Sequence, residues 1–289
     1  MGNCIFAYPD RTLAATLSGG SWLSALPLTQ LQDNSDSRMS SLARSADLAS
    51  GSTVILGDFG TDRDIRIFAV LRHNATSAAT VRLQLYSDAG RTVQVADTGV
   101  LPLWPPFYPP GSLPWGHPAA WTGGAITTED LAGEPLDFHH VFPAPVVCRA
   151  FKVTFSDPAN PDGYFELARL MLAPGWQSPY GFDFGSGVQW VDPSAAVKSL
   201  GGVRYYDRKS LYRTVTGKLD LTEAVGAGWW MEMQRRLGVT GELFFVYDPD
   251  DAYQALKQRS FLASFRELSP LENPYLNRNS VAFALEEVL

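Results

Sequence analysis

Asp64-Ile65-Arg66-Ile67-Phe68-Ala69-Val70-Leu71 puts an apolar residue at every second position, with Ile65, Ile67, Ala69 and Leu71 in phase. Side chains alternate between the two faces of a strand, so this run reads as a strand with one continuous apolar face. The pattern returns downstream. Val81, Leu83 and Leu85 repeat it after the turn-like His73-Asn74-Ala75-Thr76-Ser77, and Phe151, Val153 and Phe155 alternate with Lys152 and Thr154. The turn from Asp157 to Gly163 then feeds another apolar run, Tyr164 to Leu172. Short strands punctuated by Gly, Pro, Asn and Asp predict a mainly β chain built as a sandwich or jelly roll. No internal repeat is present, which sets solenoids and propellers aside.

At 289 residues, two domains are the natural expectation. Two prolines and a glycine in Ala173-Pro174-Gly175-Trp176-Gln177-Ser178-Pro179 stop both helix and central strand, so the boundary is placed there. Residues 1–175 form the expected jelly roll with an N-terminal arm, and residues 176–289 a smaller β-rich domain. In the latter, Leu211, Val215, Leu219 and Leu221 share one face of an extended run with Arg213 and Gly217. One amphipathic helix is expected near 222–237, with Thr222 as cap, Glu223 at the positive end of the dipole and Gly238 closing it. Val225, Trp229, Trp230, Met233 and Leu237 would occupy an arc of about 140° on it. Leu243-Phe244-Phe245-Val246-Tyr247 is apolar on both faces and reads as an interior strand. Alternation over Phe261–Phe265 and Val281–Leu285 ties the C-terminus into a sheet.

The charge is −7 and no basic run exceeds the pair Arg235-Arg236, which disfavours nucleic-acid binding through phosphates. Cys4 and Cys148 are the only cysteines, each in an apolar stretch, so neither a disulfide framework nor a metal site is expected. The N-terminus lacks the features of a signal peptide, and no stretch nears the roughly 18 apolar residues of a membrane span. Met1-Gly2-Asn3-Cys4 approaches an acylation signal, but Phe6 stands where that motif requires Ser or Thr. Synthesis in the cytoplasm, with solubility until assembly, is the expectation.

Catalytic constellations are hard to find. His73, His117, His139 and His140 are the only histidines, and the adjacent pair would point to opposite faces of a strand. Gly185-Ser186-Gly187 lacks the spacing of a nucleophile elbow, and Gly57-Asp58-Phe59-Gly60 lacks every companion of the kinase motif it matches. Carboxylates gather at two turns, Asp157, Asp162 and Glu166 at one, and Asp248, Asp250 and Asp251 at the other. Turn aspartates ordinarily bond their own backbone; calcium coordination or glycoside hydrolysis across a cleft are the alternatives. The chain is expected to be no enzyme and to need no cofactor.

From Leu101 to Gly124 the chain carries Trp104, Phe107, Tyr108, Trp115 and Trp121 among seven prolines, without alternation. Long irregular excursions between strands are usually functional or pack at an interface. Two readings stay open. Trp104, Tyr108, Trp115 and Trp121 could stack on sugar rings, or the aromatics could fill the loop's own core or a neighbouring subunit's surface.

Thr53-Val54-Ile55-Leu56-Gly57-Asp58-Phe59-Gly60, the run from Asp64 to Leu71, and the late pair Cys148–Phe155 and Phe165–Leu170 resemble the galactose-binding-like, discoidin-type jelly rolls over about residues 40–175. The whole chain resembles minor and distal tail proteins of long-tailed bacteriophages. Arg44-Ser45-Ala46-Asp47, Leu71-Arg72-His73-Asn74, Asp162-Gly163-Tyr164-Phe165-Glu166, Gly238–Phe245 and Val281–Val288 carry that likeness. The resemblance implies a structural subunit of the virion tail tip, forming a homo-oligomeric ring that contacts other tail proteins. The resemblance also implies assembly in the host cytoplasm and carries over no active site. The alternative is a carbohydrate-binding module that attaches to host surface glycans.

Overall fold

The computed structural model describes residues 3–33, 40–127, 131, 134–183, 185–221, 226–275 and 278–289. The chain opens with strand β1 (Ile5–Ala7). It then builds an antiparallel jelly-roll unit from β2 (Thr16–Ser18), β3 (Ala43–Arg44), β4 (Val54–His73), β5 (Thr80–Tyr86), β6 (Gln94–Asp97), β7 (Leu101–Pro102), β8 (Asp137–Ser156) and β9 (Glu166–Ala173). A single turn of helix, α1 (Pro118–Trp121), lies between β7 and β8. The sheet order is β3-β9-β4-β8-β5-β6, with β2 added to β4 and β7 to β5. Strands β4 and β8 each run 20 residues, and their shared register shifts between Asp58 and Arg63 and again between Ile65 and Ile67. The two long strands can therefore bend around one core. Close approach demands glycine at Gly57, where an added Cβ would lie 2.1 Å from the Phe151 ring on the paired strand.

The second shift corrects the in-phase face expected for Ile65, Ile67, Ala69 and Leu71. Ile65 packs into the jelly-roll core with Phe68 and Val70, whereas Ile67, Ala69 and Leu71 face the other way. From Ile65 to Ile67 the paired strand β8 advances five residues, Val146 to Val141, and this odd surplus of three reverses the phase. Both faces of this part of β4 are buried, so the simple alternation in the sequence conceals a change of side.

A second sheet is made by β1 with β10 (Gly175–Gln177), β11 (Gly187–Val191), β14 (Tyr212–Leu221), β15 (Glu242–Val246), β16 (Ser260–Glu267), β17 (Leu271–Tyr275) and β18 (Arg278–Glu287). Its order is β10-β1-β15-β16-β18-β14-β11, with β17 added to β18. Two further strands, β12 (Ala195–Lys198) and β13 (Arg204–Asp207), pair only with each other among the described residues. The N-terminal arm expected in the first domain thus belongs to the second, and the expected break at 173–179 contains β10. The jelly roll is an insertion between two neighbouring strands.

This sheet is covered on both sides. Cys4, Phe6, Leu243 and Phe245 face helix α2 (Ala227–Leu237), whose Trp230, Met233 and Leu237 are buried. Ile5, Ala7, Phe244 and Val246 face Ile67, Ala69, Leu71, Met171 and Ala173 of the jelly roll. The interior-strand reading of Leu243–Val246 is met by this three-layer arrangement. Helix α2 ends at Gly238, as expected, while Thr222, Glu223 and Val225 lie outside the described residues. A second short helix, α3 (Tyr253–Gln258), was not expected.

Arg213, read as sharing the apolar face of β14, is fully buried there. Its guanidinium pairs with Glu287, donates to the Lys257 carbonyl at 2.5 Å and lies 3.5 Å from Asp137 of the jelly roll. On the other flank of the interface Arg169 pairs with Glu242. His73 and His139 are buried close to this seam, and both titrate at about 3, burial being the larger cause and the charge of Lys257 the next.

Both histidine values lie below the ordinary 6.5, so as pH falls through 6.5 the unfolded chain binds protons that the folded chain refuses until about 3. Stability is lost across that window. Asp10, raised to about 6 mainly by burial, acts in the opposite sense but is common to wild type and variant. In urea titrations below pH 6.5, wild type should lose about 1.4 kcal/mol per pH unit per histidine relative to a His73→Phe, His139→Phe variant. Equal pH slopes would contradict this account.

Candidate functional site

The aromatic excursion leaves the sheet at β7 and divides into a buried root and an exposed rim. Trp104 is in the root, 4% exposed, with its indole N–H donating to the Ala75 carbonyl at 3.1 Å. The Lys257 ammonium sits 3.6 Å from the centre of its ring, and His73 meets it edge-on. Burial, above all, draws the pKa of Lys257 down to about 7. Trp104 therefore offers no ring face to a ligand. Phe107 is also buried, and its carbonyl accepts from the Gln254 backbone N–H of α3 at 3.2 Å. Tyr108 is half-buried, wedged edge-on between Phe107 and His117.

A backbone clamp shapes the rim. The N–H groups of Phe107 and Tyr108 both donate to the Gly124 carbonyl, and the Gly124 N–H donates to that of Ala119. Only glycine serves here, because the backbone has φ +83° and a Cβ would lie 2.3 Å from the Tyr108 oxygen. His117 caps α1 by accepting from the Ala119 N–H, and Pro118 starts the turn. Trp115 and Trp121 are thereby held edge to face, centroids 5.3 Å apart, the Trp121 indole N–H donating to the Trp115 carbonyl at 2.9 Å. They remain 81% and 70% exposed. With Pro109, Pro110, Leu113 and Ala120 they line an open cavity of about 350 Å³. Among the described residues no charged side chain lines it.

Of the four aromatic candidates, the structure brings Trp115 and Trp121 together at one cavity, and sets Trp104 and Tyr108 into the support beneath it. Lys257 and Gln254, which hold that support from the second unit, lie more than a hundred residues away in sequence and carry no local signal.

A second exposed feature went unread. Strands β11 and β14 pair from Gly187–Thr216 to Val191–Tyr212, and the hairpin continues as β12 and β13, from Ala195–Asp207 to Lys198–Arg204. Ser199 closes its tip, its N–H donating to the Val203 carbonyl and its hydroxyl accepting from the Val203 N–H. This finger exposes Val197, Leu200, Val203, Tyr205, Tyr206 and Leu211. Gly201-Gly202 between two β-rich runs is a hairpin signal that could have revealed it.

The turn carboxylates are engaged. Asp157 accepts from the Thr76 N–H and hydroxyl and from Asn160, Asp162 accepts from Asn74, and Glu166 pairs with Arg44. In the other turn Asp248 accepts from the Asp250 N–H and Asp251 pairs with Arg259. Ser186 donates to the Asp183 carbonyl, as a turn residue does. Cys4 and Cys148 are buried and unbridged. Among the described residues no group of three or more His, Cys, Asp or Glu is placed to hold a metal ion, and no helix is long and apolar enough to cross a membrane.

No protein-family model matches this chain, and no curated protein matches it. Similar solved structures include carbohydrate-binding modules and lectin domains. A Streptococcus pneumoniae fucose binding module is 13% identical, covering 57% of this chain and 94% of its own, with a TM-score of 0.36. The family 32 module of C. perfringens NanJ, solved with galactose, is 12% identical, covering 59% and 99%, with a TM-score of 0.36. The lectin domain of lectinolysin in complex with Lewis b, a His 62 mutant, is 13% identical, covering 58% and 97%, with a TM-score of 0.37.

Root and rim should separate in stability measurements. Trp104→Ala, which empties a buried site and strands Lys257, should cost about 3–5 kcal/mol in chemical denaturation. Trp115→Ala and Trp121→Ala should each cost under about 1 kcal/mol. A cost at either rim position matching that at Trp104 would refute the division.

Proposed function

We propose that this chain is a non-catalytic assembly subunit of the tail-tip kind that its sequence resembles. It joins copies of itself through the finger, meets other tail proteins through the sheet unit and carries the jelly roll outside, in the virion tail tip after assembly in the host cytoplasm. One observation carries this reading. The finger is a two-stranded hairpin with six large apolar side chains in water, and such a hairpin is at best marginally stable alone. Val197 and Tyr205 are directly paired across the hairpin and so share a face, and exposed apolar side chains of this size gathered on one projection suit a protein contact. When one subunit's projection meets a different surface of another copy, the series closes into a ring where the rotation allows it and otherwise runs on as a filament. The engagement of the turn carboxylates in structural hydrogen bonds supports a role without chemistry.

Sedimentation of the full chain over a wide concentration range tests this. Wild type should form a defined oligomer, and a variant with Val197, Leu200 and Tyr205 all changed to Ser should need at least tenfold more protein to do so. A wild type that stays monomeric, together with absence from purified particles, would sink the proposal.

A second reading is favoured by the Trp115–Trp121 cavity. The jelly roll binds a host surface glycan, the indoles stacking on apolar ring faces. A cavity free of charged side chains suits a neutral sugar better than an acidic one. On a glycan array, binding by wild type should vanish when both tryptophans become alanine. Unchanged binding in that variant would remove this reading.

A further inference from the structure

Two apolar features of this chain lack a partner, and they are complementary in form. One is convex: Leu200, fully exposed at the finger tip, flanked by Val197 and Val203. The other is concave: the open cavity of about 350 Å³ walled by Trp115, Trp121, Leu113 and the Pro109-Pro110 pair. An apolar cavity of about 150 Å³ accepts a benzene-sized group, so this one has room for the Leu200 side chain and part of its neighbours. Resting on the assembly reading above, we propose that the finger tip of one copy seats in the Trp115–Trp121 cavity of the next copy.

Charge agrees with this pairing. The finger carries Lys198, Arg204, Arg208 and Lys209 against Asp192 and Asp207, whereas the whole chain has a net charge of −7. A cationic projection on an acidic protein is attracted to other copies over about a Debye length. The stretch Leu101–Thr127 holds no Asp, Glu, Lys or Arg. The uncharged tip between Lys198 and Arg204 thus meets an uncharged cavity, and a finger with two more basic than acidic residues meets a chain that is acidic as a whole. Reach is sufficient as well. From Val191 to Leu200 the finger extends roughly 30 Å at about 3.3 Å per residue, comparable to the width of a folded unit of ~120 residues, on the order of 35 Å.

Knob and cavity are different surfaces, so the contact is head-to-tail. Each copy gives one finger and receives one, and the series ends only when rotation closes it into a ring. The same cavity cannot hold a glycan and a finger tip at once.

Disulfide trapping in the full chain tests the seat. Leu200→Cys and Ala120→Cys both fall at exposed positions, and the natural cysteines are buried. Under mild oxidation the double variant should give a ladder of linked species on a non-reducing gel, whereas Leu200→Cys alone should give none beyond a dimer. Alongside it, sedimentation of Trp115→Ala/Trp121→Ala should show assembly weakened at least tenfold, matching Leu200→Asp. If the protein assembles but gives no ladder and tolerates the tryptophan changes, the seat is wrong while the assembly reading stands. Absence of both ladder and assembly removes both. An oxidised monomer of altered mobility would place the tip in its own cavity and overturn the proposal. So would a tryptophan variant that loses glycan binding but assembles as wild type does.

Discussion

Strand β1 is three residues long, yet the arrangement of both units depends on it. Ile5–Ala7 pairs with β10 on one side and β15 on the other, so the inserted jelly roll leaves the second sheet at β1 and re-enters it at the neighbouring β10. Its alternating side chains also serve two cores, Phe6 in the layer beneath α2, Ile5 and Ala7 in the layer against β4 and β9. Ile5 and Phe6, both fully buried, each contribute roughly 1.5–3 kcal/mol relative to exposure. The apolar layer between the units fixes them as one body, and the polar contacts at its margins set register. Arg213 with Asp137, and Arg169 with Glu242, cross from one unit to the other and are satisfied only in one docking geometry. A buried charge left without its partner is strongly unfavourable.

Local pattern made much of this fold legible. Alternation identified the strands of the jelly roll, glycine 238 closed the helix, and the doubly apolar Leu243–Val246 announced a strand with two covered faces. The misassigned features share a cause, since each depends on a partner distant in sequence. The phase change between Ile65 and Ile67 arises from the register of β4 against β8, and β1 joins the second sheet because of β15. Neither pairing leaves a mark in the residues around it.

The aromatic excursion shows the same limit at the site. Composition singled out Leu101–Gly124 correctly as irregular and aromatic, but could not rank its tryptophans. Trp104 follows a strand bonded to β5 and is pulled under by Lys257 of α3, whereas Trp115 and Trp121 are lifted by a clamp that depends on Gly124. The finger escaped notice for a different reason. Its apolar residues alternate irregularly, and a hairpin that projects into water has no core-facing side to generate a period.

The position of β1 also has a consequence for biosynthesis. Ile5–Ala7 is synthesised well before its partner Glu242–Val246, which follows roughly 240 residues later. At about 5–20 residues per second, the strand waits on the order of 10–50 s with its apolar side chains unpaired. The jelly roll, whose strands are contiguous in the chain, can finish in that interval. Where several nascent chains share a messenger, a waiting β1 can be captured by the β15 of a neighbour, exchanging strands between copies before either sheet is complete.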